Sequence, residues 1–157
     1  MTARPKLDPA AIQQIVRHAI PHCRELGVEV ASVNDQRPIL KLDWDERLVG
    51  HPDTGVLHGG VVTTLIDTAC GMAVQVALMR TAAIATLDLR IDYLRPSTPH
   101  KPLHAEAFCY KLTRHIAFVR AKAWNDDPDD PVANCVTTFM IDSSAKPATA
   151  RKRKEPA

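Results

Sequence analysis

The stretch Leu57-His58-Gly59-Gly60, with Asp67 nine positions beyond the histidine, is the part of this chain best suited to chemistry. Glycine lets a backbone approach a ligand closely. The first N–H groups of a helix lack internal partners and carry partial positive charge, so a helix starting at Gly59 and Gly60 suits a carbonyl oxygen becoming negative. Asp67 sits inside the apolar run GVLHGGVVTTLIDTACG, residues 55–71. An ionised carboxylate buried without partners is costly, so Asp67 must be hydrogen-bonded, shifted in pKa or beside water. Desolvation raises a carboxyl pKa toward neutrality, which suits a general base. A purely structural reading competes: an Asp capped by Thr63, Thr64 or Thr68, and two glycines that only turn the chain. His58 could hydrogen-bond a carbonyl or hold the loop in shape.

These residues need elements to place them. From Gly59 to Met79 the apolar side chains cover most of a helical circumference, which marks a buried helix. Its β-branched content makes a strand the rival, and length decides for helix. Upstream, residues 9–26 read as a helix with Pro9 early, apolar residues at i+4 and a break at Pro21. Residues 28–33 and 38–44 read as an antiparallel pair turning at Asn34-Asp35. Residues 45–55 read as a polar loop marked by Pro and Gly. Beyond the long helix the period changes to two. In residues 85–94, Leu87, Leu89, Ile91 and Tyr93 alternate with Asp88, Arg90 and Asp92, and Pro96 and Pro99 end the strand. Strands follow at 103–112, 117–124 and 132–141. The order is α+β, one antiparallel sheet with one face covered by the only helix apolar enough to cover it.

A chain of 157 residues is expected to form one domain. We divide it into an N-terminal helical segment (1–26), a core (27–143) and a basic tail (144–157). A net charge of +2 gives no argument for nucleic acid, and the dense basic run at 151–154 reads as a solvated tail. The start has no apolar h-region, and no window offers about 18 consecutive apolar residues. No membrane association is therefore expected. Cys23, Cys70, Cys109 and Cys135 form no C-x-x-C pair, so neither a metal nor disulfides are expected, in keeping with a cytoplasmic location. Neither a G-x-S-x-G, a phosphate-binding P-loop nor an H-E-x-x-H motif is present.

The element order with HGG heading the central helix resembles the hotdog fold, an antiparallel sheet wrapped around one long central helix. The motifs resemble the PaaI-type acyl-CoA thioesterases: Gly55, His58, Gly59 and Gly60 match G-x-x-H-G-G, and Asp67 matches the helical acid. The block TLDLRIDYLRP (86–96) resembles the family's strand after the helix, and Thr113-Arg114 falls at a turn often read Gly-Arg. The resemblance spans roughly residues 27–142.

It implies hydrolysis of an acyl-CoA thioester, without a cofactor. The Gly59 N–H would polarise the thioester carbonyl. Asp67 would activate water or act as nucleophile, and the two stay open. Thr86 matches a water-orienting hydroxyl, and His51 stands near the place of an Asn that orients the carbonyl. Gly60 joins the substrate-binding group. Arg114 first, then Arg90, Arg95 and Lys111, are candidates for coenzyme A phosphates. The resemblance also implies a homodimer or homotetramer in which Asp67 of one subunit faces Gly59 of the other. Two other readings stay open, an acyl-thioester dehydratase or hydratase on the same fold and a non-catalytic acyl-CoA binder.

Overall fold

The structure is a computed structural model that describes residues 9–142. The basic C-terminal run expected as a tail lies outside the described residues. In chain order come α1 (Pro9–Gln14), a π-helical turn (Ile15–Ala19), α2 (Pro21–Leu26), β1 (Glu29–Asn34) and β2 (Arg37–Leu42). A 3-10 turn (Glu46–Leu48), β3 (Val49–His51), β4 (Val56–Leu57) and α3 (Gly59–Leu78) follow. The chain then closes with β5 (Ala83–Tyr93), β6 (Leu103–Leu112), β7 (Ile116–Trp124) and β8 (Ala133–Asp142).

Six strands form one antiparallel sheet in the order β1-β2-β6-β7-β8-β5. It wraps around α3, the hotdog arrangement. Small side chains floor the trough: Ala105 and Ala107 of β6, Ala117 and Ala123 of β7 and Ala133 of β8 are all buried. The helix answers with Ala69, Gly71 and Ala73, also buried. A Cβ at Gly71 would meet Ile84 Cδ1 at 3.6 Å and Phe139 at 3.9 Å, ordinary packing distances. The mean hydropathy of 1.6 over α3 would meet the length and composition needs of a membrane span. Its burial against the sheet accounts for that apolarity.

The N-terminal helix is interrupted at the expected place, and its first part ends in a π-helical turn. It breaks at Ile20, and Pro21 starts α2 from the first helical position, where its missing N–H costs nothing. Ile12, Val16 and Cys23 are buried in the same core as α3. The β1–β2 turn uses Asp35 and Gln36, both at positive φ (47° and 63°), as a two-residue hairpin turn requires. The 45–55 segment is more ordered than a loop: it holds the 3-10 turn and half of a small β3–β4 hairpin. Trp44 Nε1–H donates to the Gly55 carbonyl at 2.8 Å, and the buried Ser97 hydroxyl accepts from Leu57 N–H at 3.0 Å. Together these fix the approach to Gly59.

The alternation in β5 does not run unbroken. A bulge between Thr86 and Asp88 inserts Leu87 as an extra residue. Ile84 and Thr86 pair with Ile141 and Phe139 on the helix-facing side, whereas beyond the bulge Leu89, Ile91 and Tyr93 take that side. Leu87 is therefore 54% exposed rather than a core residue. Bulges of this kind re-aim a side chain, and here the side chain is Thr86. The buried Thr137 hydroxyl donates to the Asp88 carbonyl beside the bulge.

Candidate active site

The α3 N-terminus is built by His58. Its φ and ψ (−59°, 136°) are extended, and its ring Nδ1 accepts the Gly60 N–H at 2.9 Å. An Nδ1 that accepts places the ring proton on Nε2. The Val61 N–H goes to the His58 carbonyl at 2.9 Å. Among the described residues nothing accepts the Gly59 N–H, so of the amides in this turn it alone is unspent. Gly60 has its own reason to be glycine, since a Cβ there would lie 3.0 Å from His58 Nδ1.

Asp67 is half-buried on α3, and its Oδ1 accepts the Thr86 hydroxyl at 3.0 Å. The rival reading, capping by neighbouring threonines, fails on geometry. Thr64 and Thr68 donate instead to the carbonyls of Gly60 and Thr64, and the Thr63 hydroxyl is engaged with the Gly59 carbonyl and the Tyr93 hydroxyl. Asp67 and Thr86 thus meet beside β5, which is the last strand of the sheet and offers one unpaired edge.

Gly59 and Asp67 lie on one helix but not at one point. Eight residues at 1.5 Å each separate them by about 12 Å along the axis. That is too far for both to serve one carbonyl, whose attacking water must sit within hydrogen-bond reach of its base.

The other expected residues scatter. His51 lies in β3 with its side chain 67% exposed, 3.8 Å from Asp53, and makes no bond to the start of α3. Arg90 faces outward, held by Asp92 at 3.1 Å. Arg95 is held by Asp130 at 2.9 Å, while Lys111 is exposed near the end of β6. Arg114 is exposed in the β6–β7 turn, next to the end of β8 that pairs with Ala85 and Thr86. Among the described residues no three His, Cys, Asp or Glu side chains come together as a metal ion would need.

Two features were not singled out from the sequence. An open cleft of about 420 Å³ adjoins Gly59, lined by Val56, Leu57, Val62, Leu94 and Val132 among others. Tyr93, at the end of β5, lines it too and places its hydroxyl 2.8 Å from the Gly59 carbonyl, to which it donates. The only sequence signal for Tyr93 was its place in the alternation. The cysteines lie apart from this cleft. Contact with Cys135 and deep burial push the Cys70 thiol up, and burial raises Cys23 against the opposing Thr68 hydroxyl.

Comparison with known proteins places this geometry. The chain belongs to the thioesterase superfamily, whose family model matches residues 54–132. It is 45% identical over 75 residues to a candidate esterase of Halobacterium salinarum, a match that covers 46% of this chain and half of that protein. It is 25% identical over 135 residues to the medium/long-chain acyl-CoA thioesterase YigI of Salmonella typhimurium, covering 78% and 86% of the two chains. A Pseudomonas aeruginosa protein of known crystal structure is 39% identical, with a TM-score of 0.74 over 82% of this chain and 98% of that one. A Haemophilus influenzae thioesterase, 22% identical with a TM-score of 0.74 over 90% and 94%, shares the fold.

Proposed function

We propose that the protein hydrolyses acyl-CoA thioesters in the manner of the PaaI-type enzymes. The observation that carries the reading is the Gly59 N–H, the one first-turn amide left unspent, at the positive end of a 20-residue helix. It polarises the thioester carbonyl and stabilises the tetrahedral oxyanion. His58 caps the turn, and its Nε2–H remains free to reach the substrate. Asp67, oriented by Thr86, takes the proton of the attacking water, and the carbonyl collapses with release of coenzyme A. Nucleophilic attack by Asp67 itself would give the same products through an anhydride. Gly60 admits the substrate and makes the His58 cap possible.

The span between Gly59 and Asp67 requires a second chain, so the active protein is a homodimer or a larger homo-oligomer. The unpaired β5 edge supports this, because a long open edge invites strand pairing. Tyr93 lies by Gly59 and Thr86 by Asp67. An antiparallel β5–β5 pairing with its two-fold at Arg90 brings, across the bulge, one chain's Thr86 opposite the other's Tyr93, and so Asp67 toward Gly59. The aliphatic cleft beside Gly59 suits the acyl chain, in keeping with the medium/long-chain substrates named for YigI. Arg114, at the Thr86 end of the sheet, remains the first candidate for a coenzyme A phosphate, with Arg90 next. His51 would orient the carbonyl only if its loop closed on the site. A coenzyme A substrate fits the cytoplasmic setting expected above.

The test is thiol release from a panel of acyl-CoAs by the wild type and by Asp67→Ala. A wild type that releases thiol and a variant reduced by two or more orders of magnitude support the reading. Turnover within a few-fold of wild type in the variant refutes it. Conversion of an enoyl-CoA without thiol release would instead identify a hydratase, and tight acyl-CoA binding without turnover a binder.

A further inference from the structure

We infer that Tyr93 is a positioning residue for the oxyanion amide, an inference that rests on the hydrolase reading above. A carbonyl and the next residue's N–H are the two ends of one planar peptide unit. In the Gly59–Gly60 unit both ends are held. Tyr93 Oη donates to the Gly59 carbonyl at 2.8 Å, and His58 Nδ1 accepts the Gly60 N–H at 2.9 Å. The unit lies between two glycines, the residues with the least intrinsic backbone restraint. Without these holds that plane, joined through the Gly59 Cα to the His58–Gly59 unit that carries the Gly59 N–H, would have only the helix's own bonds to fix it.

The phenol is the stronger of the hydroxyls near this carbonyl. Thr63 Oγ1 lies 3.1 Å from the Gly59 oxygen and 2.9 Å from Tyr93 Oη. Each hydroxyl has one proton. With the Tyr93 proton given to Gly59, Thr63 completes the cluster by donating either to the same carbonyl or to the phenol oxygen. Tyr93 also packs against Gly59, since a Cβ there would lie 3.4 Å from Oη. Yet the side chain is 51% exposed, so its burial adds little to the core. A half-exposed tyrosine with its hydroxyl committed to one catalytic peptide is better placed to orient than to stabilise. It is also the last residue of β5, so the clamp ties the open sheet edge to the helix start.

Tyr93→Phe keeps the ring and removes the bond. With acyl-CoA as substrate, kcat is expected to fall roughly tenfold to a hundredfold, the cost of a misdirected group, with KM within about twofold. Tyr110→Phe, on the outer face of the sheet, serves as the control. In parallel, amide hydrogen exchange at Gly60 is expected to accelerate in Tyr93→Phe and not in the control. An unchanged kcat in Tyr93→Phe, or equal loss in kcat and thermal stability, overturns the positioning role. Unchanged Gly60 exchange overturns the clamp. A wild type that releases no thiol from any acyl-CoA sinks the hydrolase reading and the positioning role with it, while Gly60 exchange still decides the clamp.

Discussion

Replacing Gly59 by proline puts a ring carbon where the proposed donor hydrogen stood and leaves the helix start in place. Proline has no N–H, but it is favoured at the first helical position because that N–H has no intrahelical acceptor. Gly59 is that first residue, and its φ is not positive. His58 before it is already extended at ψ 136°, as a residue preceding proline prefers. The proline Cβ would lie 3.4 Å from Tyr93 Oη, an ordinary contact. Proline also restricts the unfolded chain, an effect of about 0.4–1 kcal/mol toward stability. The melting temperature should therefore hold or rise slightly. Loss of one oxyanion donor costs about 10²–10³ in kcat, or about 2.7–4 kcal/mol. The neighbouring Gly60 and Val61 amides cannot substitute, because both are already bonded. Saturation kinetics of thiol release, run beside a thermal melt, separate the two effects. A Gly59→Pro protein that folds and keeps kcat within a few-fold of wild type refutes the oxyanion assignment.

Thr86→Val removes the hydroxyl that Asp67 accepts at 3.0 Å while keeping a β-branched side chain. Thr86 is exposed, so the thermal midpoint should move little, and kcat should drop about tenfold as the carboxylate loses its orientation. In a series of saturated acyl-CoAs, each methylene buried in the cleft beside Gly59 should raise kcat/KM roughly fourfold, equivalent to about 0.8 kcal/mol. A flat series would place the acyl chain elsewhere. The raised Cys70 and Cys23 thiols hold less thiolate at neutral pH than a free cysteine, so iodoacetamide should label them at least about tenfold faster in urea than in the native protein, as read by mass spectrometry.

The parts of the fold written in apolar periodicity were legible in the sequence. The central helix stood out because its apolar residues run all the way round it, and it begins at Gly59 as expected. Residues 103–112 form β6 with the same bounds, since their alternation has clear turns on either side. Periodicity did not reveal the bulge at Leu87, because an extra residue in a pleat leaves a pattern that still alternates by type. That one insertion decides whether Thr86 or Leu87 faces the helix, so the resemblance could single out Thr86 as a site hydroxyl but its bond to Asp67 was not legible. The short β3–β4 pair was hidden by its Pro and Gly content, which reads as loop. Tyr93 escaped notice for a different reason. Its bond to Gly59 joins residues 34 apart, and no local pattern encodes such a contact.

Complementation between two inactive chains tests most directly whether the site is shared. Gly59→Pro and Asp67→Ala chains, each inactive alone, are unfolded together and refolded at equal concentration. In a mixed dimer one composite site carries both defects and the other carries neither. Random pairing should therefore restore roughly a quarter of wild-type thiol release. No recovery, in a mixture shown by mass spectrometry to contain mixed dimers, would mean that Gly59 and Asp67 do not act across two chains.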